Sequence, residues 1–412
     1  MTNYLRCFIS DLHVNATTYG GSEDRDGLTF RVKDFMQATA WAVDEMVNKI
    51  KPQEVWILGD IYDHPHPASN IRKFFNIQIK KLLGAGITVH ILVGNHDACK
   101  LHHALQPLIG LSLPNLHIYY EPSIFTAPDG SLFILMPHTE QVERQEVELR
   151  ASLLENAQLW RPEVIKAHQE GRKVFFCGHF GIYGAEANDG YTNNDQSSVM
   201  IQDIESLGAD YAYLGDYHIF QTLKTNPSVV AMYTGSLERT NFSDMESPKG
   251  FILHSNEPIQ GYGITGFPNI KFVENPNVRP MYLVKGSLNQ IQERVEAIKS
   301  NVKDAVIKID FVGEEQEYRD FTILEDQLKD ALEKDGSAKL VRCEKRMVNT
   351  EQKKRSEALK VELSEKDDVN WNDISEIVNS SIESTIVDPI ERAEILKEAK
   401  DIMQSVDKRE VL

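Results

Sequence analysis

Asp and His recur in tight pairs through the first half of this 412-residue chain. "SDLH" carries Asp11 and His13, "GDIYD" carries Asp60 and Asp63, and "GNHD" carries Asn95, His96 and Asp97. Farther on, "GHF" contributes His179, and "GDYH" sets Asp216 two places before His218. Carboxylate, carboxamide and imidazole together suit a hard or borderline divalent metal, and the same groups serve as general acids and bases. Singly, each motif is weak. D-x-H is more often loop than ligand, and the first Asp of GDxxD could simply cap a helix. GNHD says more, because Gly-Asn permits a tight left-handed backbone that throws the next His into a crevice.

Placement gives the set its weight. The motifs close the short apolar runs "LRCFIS", "EVWILGD", "TVHILVGNHD", "KVFFCGHF" and "YAYLGDYH", while "SLFILMPH" ends in His138. Helical stretches at 30–50 and 71–83 lie between the earlier runs. The alternation predicts an α/β domain over residues 1–275 whose strands are buried on both faces. Functional groups in open α/β sheets collect where the carboxyl ends of strands leave a crevice. Five strand ends delivering Asp, His and Asn to one crevice predict a metal site.

The texture changes after residue 275. Residues 276–345 read as a small α+β unit, with strands in "MYLVKG", "VIKIDFV" and "AKLVRCE" and a helix over 316–333. A capping box from Ser287 to Gln290 starts another helix, with Ile291, Val295 and Ile298 on one face. Residues 346–371 form a charged linker, and 372–412 hold two amphipathic helices. The second of these opens on Asp388, Pro389 and Glu391, an N-cap, an N1 proline and a capping-box acid. Their apolar stripes have no home upstream, so they read as a partner-binding segment.

A net charge of -18 means that any polyanionic substrate must be met by a local patch, by bound ions or by a partner. The four cysteines are scattered without CxxC spacing, as reduced thiols are. "MTNYLRCFIS" lacks the pattern of a signal peptide, and no apolar run reaches the length of a membrane span. A cytoplasmic location is the expectation.

The ordered series D-x-H, GDxxD, GNHD, GH and the final His resembles the calcineurin-like metallophosphoesterases over residues 6 to about 220. "GDIYDHPHP", "VGNHD" and the later "TGSLERTNF…KGF" resemble the SbcD-type branch, the bacterial and phage counterpart of the meiotic-recombination nuclease of double-strand-break repair. The resemblance implies a four-layer α-β-β-α sandwich of two mixed sheets, a small α+β capping domain and a C-terminal helix pair. It implies two divalent ions, Mn²⁺ or else Mg²⁺, with Asp11, His13 and His218 on the first. Asn95, His179 and Asp216 would hold the second, and Asp60 would bridge them. The ions would polarise the scissile phosphate and activate the attacking water. His96 resembles the family's catalytic acid, with Asp97 orienting it. The resemblance further implies DNA as substrate, exonuclease action on duplex ends and endonuclease action on single strands. It also implies a homodimer through helices near 68–83 and 98–110, and an SbcC-type ATPase bound by residues 372–406. If the chain is phage-encoded, its compartment is the host cytoplasm.

One position departs from the pattern, because Asp216 stands where the branch usually has a His. A carboxylate there should hold Mn²⁺ or Mg²⁺ more firmly yet leave the ion pair a poorer Lewis acid. Other residues keep two readings. His64 and His66 could be solvent-exposed or close to DNA, and His102 and His103 fit a surface helix. His138 could be a strand end or a ligand, and Arg239 a phosphate contact or a turn salt bridge. Two other classes also stay open: a phosphatase or small-molecule phosphodiesterase, and a non-catalytic phosphoesterase-like scaffold.

Overall fold

A computed structural model describes residues 3–347 apart from 100–101, 139–145, 189, 224–228, 260–263 and 265. Most of the expected linker and the whole segment 372–412 lie outside the described residues. The apolar runs become strands as their patterning requires. Along β1 (Leu5–Ile9), Cys7 and Ile9 face one core while Phe8 faces another. Along β2 (Glu54–Leu58), Val55 and Ile57 face the first core and Trp56 and Leu58 the second. Side chains alternate across a strand, so a continuous apolar run signals burial on both sides.

The remaining strands of the first domain are β3 (Thr88–Leu92), the two-residue pair β4 (Ala98–Cys99) and β5 (His102–His103), and β6 (Leu116–Tyr119). They are followed by β7 (Ser123–Thr126), β8 (Leu132–Met136), β9 (Val174–His179) and β10 (Tyr211–Gly215). The series closes with β11 (Gln221–Thr222), β12 (Val230–Tyr233), β13 (Gly250–Ser255) and β14 (Ile270–Glu274). One six-stranded sheet runs β14-β13-β1-β2-β3-β6, with antiparallel β13 and β14 added to a parallel centre. The other runs β11-β12-β10-β9-β8-β7, parallel from β12 to β8 and antiparallel at both edges. Both are mixed sheets.

Aromatic residues fill the space between them. Phe8 stacks on Tyr213 at 4.0 Å and Trp56 on Phe133 at 4.1 Å, so each pair joins the two sheets. The outer face of the first sheet packs on α1 (Phe30–Glu45) and α2 (Ser69–Gly84). That of the second packs on α4 (Glu146–Gln169) and α5 (Ile201–Ser206), the short α3 (Gln106–Ile109) lying earlier in the chain. The layers are therefore α-β-β-α. Thr29 caps α1, its hydroxyl accepting from Val32 N–H at 3.3 Å.

Beyond residue 275 come β15 (Met281–Gly286), α6 (Leu288–Ile298), β16 (Val306–Gly313), α7 (Glu315–Asp330) and β17 (Leu340–Met347). The strands form a sheet in the order β15-β16-β17. The expected capping box is half present: Gln290 reaches back to Ser287 N–H at 3.0 Å, and Ile291 and Val295 are the buried residues of α6. Two compact units divide the chain. The first comprises Met1–Val284, Ile291–Ile309 and Glu325–Glu344. The second takes Lys285–Gln290, Asp310–Leu324 and the described residues from Lys345; within it Phe311 stacks on Phe321, and Arg346 grips both oxygens of Asp310.

The helix expected around 98–110 is mostly something else. His102 and His103 pair with Ala98 and Cys99 in the β4–β5 ribbon, and only Gln106–Ile109 is helical. Pro107 suits the first turn of a helix that begins there.

Candidate metal centre

Every motif leaves its strand at the same edge. β1 leads to Asp11 and His13, β2 to Asp60, β3 to Asn95 and His96, β9 ends on His179, and β10 leads to Asp216 and His218. The turns are sharp. Asp11, His13, Asp60 and Asp216 all have left-handed backbone, with φ of 52°, 40°, 52° and 93°. Such conformations in non-glycine residues persist where surrounding structure enforces them, and they cluster at functional sites. Here the enforcement is visible: Asp11 N–H bonds Gly59 O and His13 N–H bonds Asp60 O, each at 3.1 Å.

The glycine of GNHD has a different purpose from the one expected. Neither Gly94 nor Asn95 has positive φ. A Cβ on Gly94 would sit 2.1 Å from Asp60 Oδ1, so glycine is needed for space. Gly59 is crowded as well: a Cβ there would sit 2.2 Å from His179 Nδ1.

Three donor groups converge: Asp11, His13 and His218; His13, Asp60 and His96; and Asp11, Asp60 and His179, each within 4.8 Å. Asn95 joins through Oδ1, 2.9 Å from His179 Nε2. Asp216 is tied in through its backbone N–H, which bonds Asp11 Oδ1 at 3.1 Å, and it lines one cavity with Asn95 and His179. All the ligand candidates therefore meet at one edge.

The donors are oriented from behind. His218 Nδ1 lies 2.7 Å from Thr240 Oγ1, whose own proton goes to Asp244 Oδ2 at 2.9 Å. His218 must then donate from Nδ1 and aim the Nε2 lone pair inward. His13 Nδ1 faces Asp63 Oδ1 at 3.3 Å, and His179 Nδ1 faces Leu58 O at 2.6 Å. His218 and His179 therefore have their outer nitrogens occupied, the usual arrangement behind a ligating histidine, while His13 Nδ1 has a carboxylate beside it but no hydrogen bond.

This geometry tests whether a cation fits. His13 Nε2 and His218 Nε2 approach to 3.1 Å. Two lone pairs at that distance repel unless a proton or a metal ion lies between the nitrogens. Asn95 Oδ1 likewise faces only acceptors; with the amide reversed, its nitrogen would donate to His179 Nε2 and to both oxygens of Asp60. A cation at the site would let the amide oxygen face that way. The donor set fits divalent metal.

Electrostatics agree. Burial pushes the Asp216 carboxyl up to about 7, with Asp60 and Asp11 adding and His179 opposing. Burial works against charge on His179, yet Asp60, Asp11 and Asp216 hold its pKa well above the ordinary value. Burial, then His13 and Lys249, drive His218 well below it. Opposed shifts among packed groups mark a site where protons and metal compete.

His96 stands apart. It is exposed, with 43% of its side chain accessible, and its Nδ1 lies 2.9 Å from Asp63 O. Asp97, expected to orient it, accepts instead from the backbone N–H groups of Tyr62 (3.0 Å), Ile61 (3.2 Å) and Gly94 (3.3 Å). Burial and the nearby Asp60 push Asp97 up to about 6. Its carboxyl stitches the β2 and β3 turns together, while the carbonyl of Asp63 meets His96.

Several other residues settle. His64 and His66 are exposed. Arg239 bonds Met245 O at 2.8 Å and Arg279 O at 2.7 Å, so it ties loops together. Thr240, Asp244 and Lys249 went unread although "TGSLERTNF…KGF" contains two of them, because that motif shows its purpose only once folded behind His218. Asn188 had no signal at all. Its side chain donates to Asp216 O at 3.0 Å and accepts from His218 N–H at 2.6 Å, clamping the 216–218 turn.

Residues 7–220, just over half of the chain, match the family described as calcineurin-like phosphoesterase. The chain belongs to that family. Its members bind divalent metals, and membership implies hydrolase activity. The chain is 22% identical over 249 residues to the metallophosphoesterase YhaO of Bacillus subtilis, covering 60% of this chain and 56% of that protein. It thus spans little more than half of YhaO. It is 24% identical over 285 residues to the SbcD component of the SbcCD nuclease of Staphylococcus saprophyticus, covering 64% of this chain and 70% of that one. It is also 25% identical over 312 residues to the DNA double-strand break repair protein Mre11 of Aeropyrum pernix, covering 72% and 68%. Among the described residues no helix is long and apolar enough to cross a membrane.

Proposed function

We propose that this phosphoesterase is a two-metal DNA nuclease. The observation that carries the reading is the sharing of Asp60 between two donor groups, one with His13 and His96 and the other with Asp11 and His179. A carboxylate has an oxygen for each of two ions. Asp11, His13 and His218 would hold one ion, and Asn95, His179 and Asp216 the other. When bound, Mn²⁺ or Mg²⁺ supplies Lewis-acid activation of a phosphodiester and of water.

The chain's own residues do the rest. Thr240 and Leu58 O hold His218 and His179 with Nε2 inward, and Asp63 stands 3.3 Å from His13 Nδ1. Asp97 holds the two turns that carry Asp60 and Asn95. His96, open to solvent, has Nδ1 on Asp63 O and Nε2 4.0 Å from Asp60 Oδ2. In its protonated form it offers a proton from the exposed edge to the departing oxygen, as a general acid. Likeness to a protein named as part of a nuclease and to another named for double-strand-break repair supports DNA as the substrate. A homodimer through the α2 region and residues 98–110, and an ATPase partner bound by residues 372–406, belong to the same reading. Ile77 on α2 is 44% exposed, as a dimer face would require.

The test is hydrolysis of linear duplex DNA and of a chromogenic phosphodiester, each with EDTA and with added Mn²⁺. Metal-dependent cutting of DNA is expected. Hydrolysis of the chromogenic ester alone would move the reading to a small-molecule phosphodiesterase.

A further inference from the structure

We infer that His138 is a ligand of the second ion, the one assigned to Asn95, His179 and Asp216. The inference rests on the two-metal reading above.

His138 follows β8 by two residues, and its backbone N–H bonds Val93 O at 2.9 Å, two residues before Asn95. This fastens the end of a strand in the second sheet to the β3 turn of the first. His138 lines a cavity of about 180 Å³ together with Asn95, His179 and Asp216, the three candidate ligands of one ion. The other lining groups are apolar or backbone, with the hydroxyl of Ser198 as the exception. His138 Nε2 is buried and has no hydrogen-bond partner. Most buried side-chain polar atoms are paired, so an orphan nitrogen on a residue that lines this cavity needs an explanation.

The composition of the two donor sets provides one. The first ion has imidazoles from His13 and His218, whereas the second has only His179, because position 216 is a carboxylate. His138 supplies the missing imidazole from another strand. The second ion then has two nitrogens, a carboxamide oxygen, Asp216 and the shared Asp60, an N/O set suited to Mn²⁺ and neighbouring divalent ions. Asp216 changes from a substitute for histidine into an additional anionic donor.

The test counts ions rather than turnover. The purified full chain is stripped with EDTA, dialysed against graded Mn²⁺ and analysed for bound metal, and the EPR spectrum of the loaded protein is recorded. Wild type should bind two ions and show an exchange-coupled pair. His138→Leu and His138→Gln should keep the first ion and bind the second at least about 10–100-fold more weakly, the loss that removing an outer-shell partner alone causes. The coupled signal should give way to that of isolated Mn²⁺. Two ions bound by both variants with wild-type affinity and an unchanged coupled signal overturn the assignment. A wild type that binds fewer than two ions defeats the two-metal reading itself, and this inference with it. Should both variants unfold, the anomalous signal of Mn²⁺ in wild-type crystals decides. A peak within bonding distance of His138 Nε2 supports the assignment, and a peak elsewhere overturns it.

Discussion

Replacing Lys249 with Met asks whether buried charge supports the metal centre. Lys249 and Asp244 pair at 2.9 Å with both side chains fully buried. Lys249 Nζ also donates to His218 O at 2.8 Å and Ser236 Oγ at 3.1 Å. Burial lowers the pKa of the ammonium and Asp244 opposes that shift. Met keeps the length and apolar character of the stem, so the packing change is small. What is lost is a charge and three hydrogen bonds, while Asp244 keeps its bonds from Thr240 and Asn241. Removing one member of a buried pair costs about 3–5 kcal/mol. Urea unfolding of metal-free Lys249→Met should therefore show a loss of about 3–5 kcal/mol at pH 7. Adding Asp244→Asn removes the stranded charge and should recover part of the loss. A deficit below about 1 kcal/mol at pH 7, or one that Asp244→Asn does not reduce, refutes the reasoning.

His96→Asn should bind both ions, seen by metal analysis, while DNA cleavage slows by about 10²–10⁴-fold; wild-type cleavage would remove His96 from the chemistry. Asp216→Ala should lose the second ion and most activity, whereas Asp216→His should remain active with its metal optimum moved toward borderline ions. Two ions and normal cutting in the Ala variant would show that Asp216 is no ligand. Burial, aided by His117 and Arg6, drives His90 down to about 2, and burial with Arg6 drives His254 to about 3. Both stay neutral in the fold while the unfolded chain protonates them near pH 6.5. Stability present above that pH should then fall as pH drops from 6.5 toward 3, by about 1.4 kcal/mol per unit for each histidine. Urea titrations of metal-free wild type against a His90→Gln, His254→Gln variant should show the shallower slope in the variant. Truncation after residue 365 should leave thermal unfolding of the phosphoesterase domain unchanged and abolish co-purification with the ATPase partner; retained co-purification would place the binding surface elsewhere.

The α/β class and the strand ends bearing Asp, His and Asn were legible because both signals are local. An apolar run buried on both faces needs only its own residues to declare itself, and a donor's chemistry is a property of its side chain. The sequence by itself thus determined which atoms could bind metal and that they leave their strands together. Tertiary structure decided what each atom faces. His13 and His218 are 205 residues apart, yet their nitrogens meet at 3.1 Å because two sheets stack with their carboxyl ends at one edge. The same packing gives Gly94 a steric purpose and turns Asp97 away from His96. It also brings Thr240, Asp244 and Lys249 behind a ligand, and His138 into the cavity beside Asp216. Such distances are sums over the whole path of the chain, so no short window of sequence contains them.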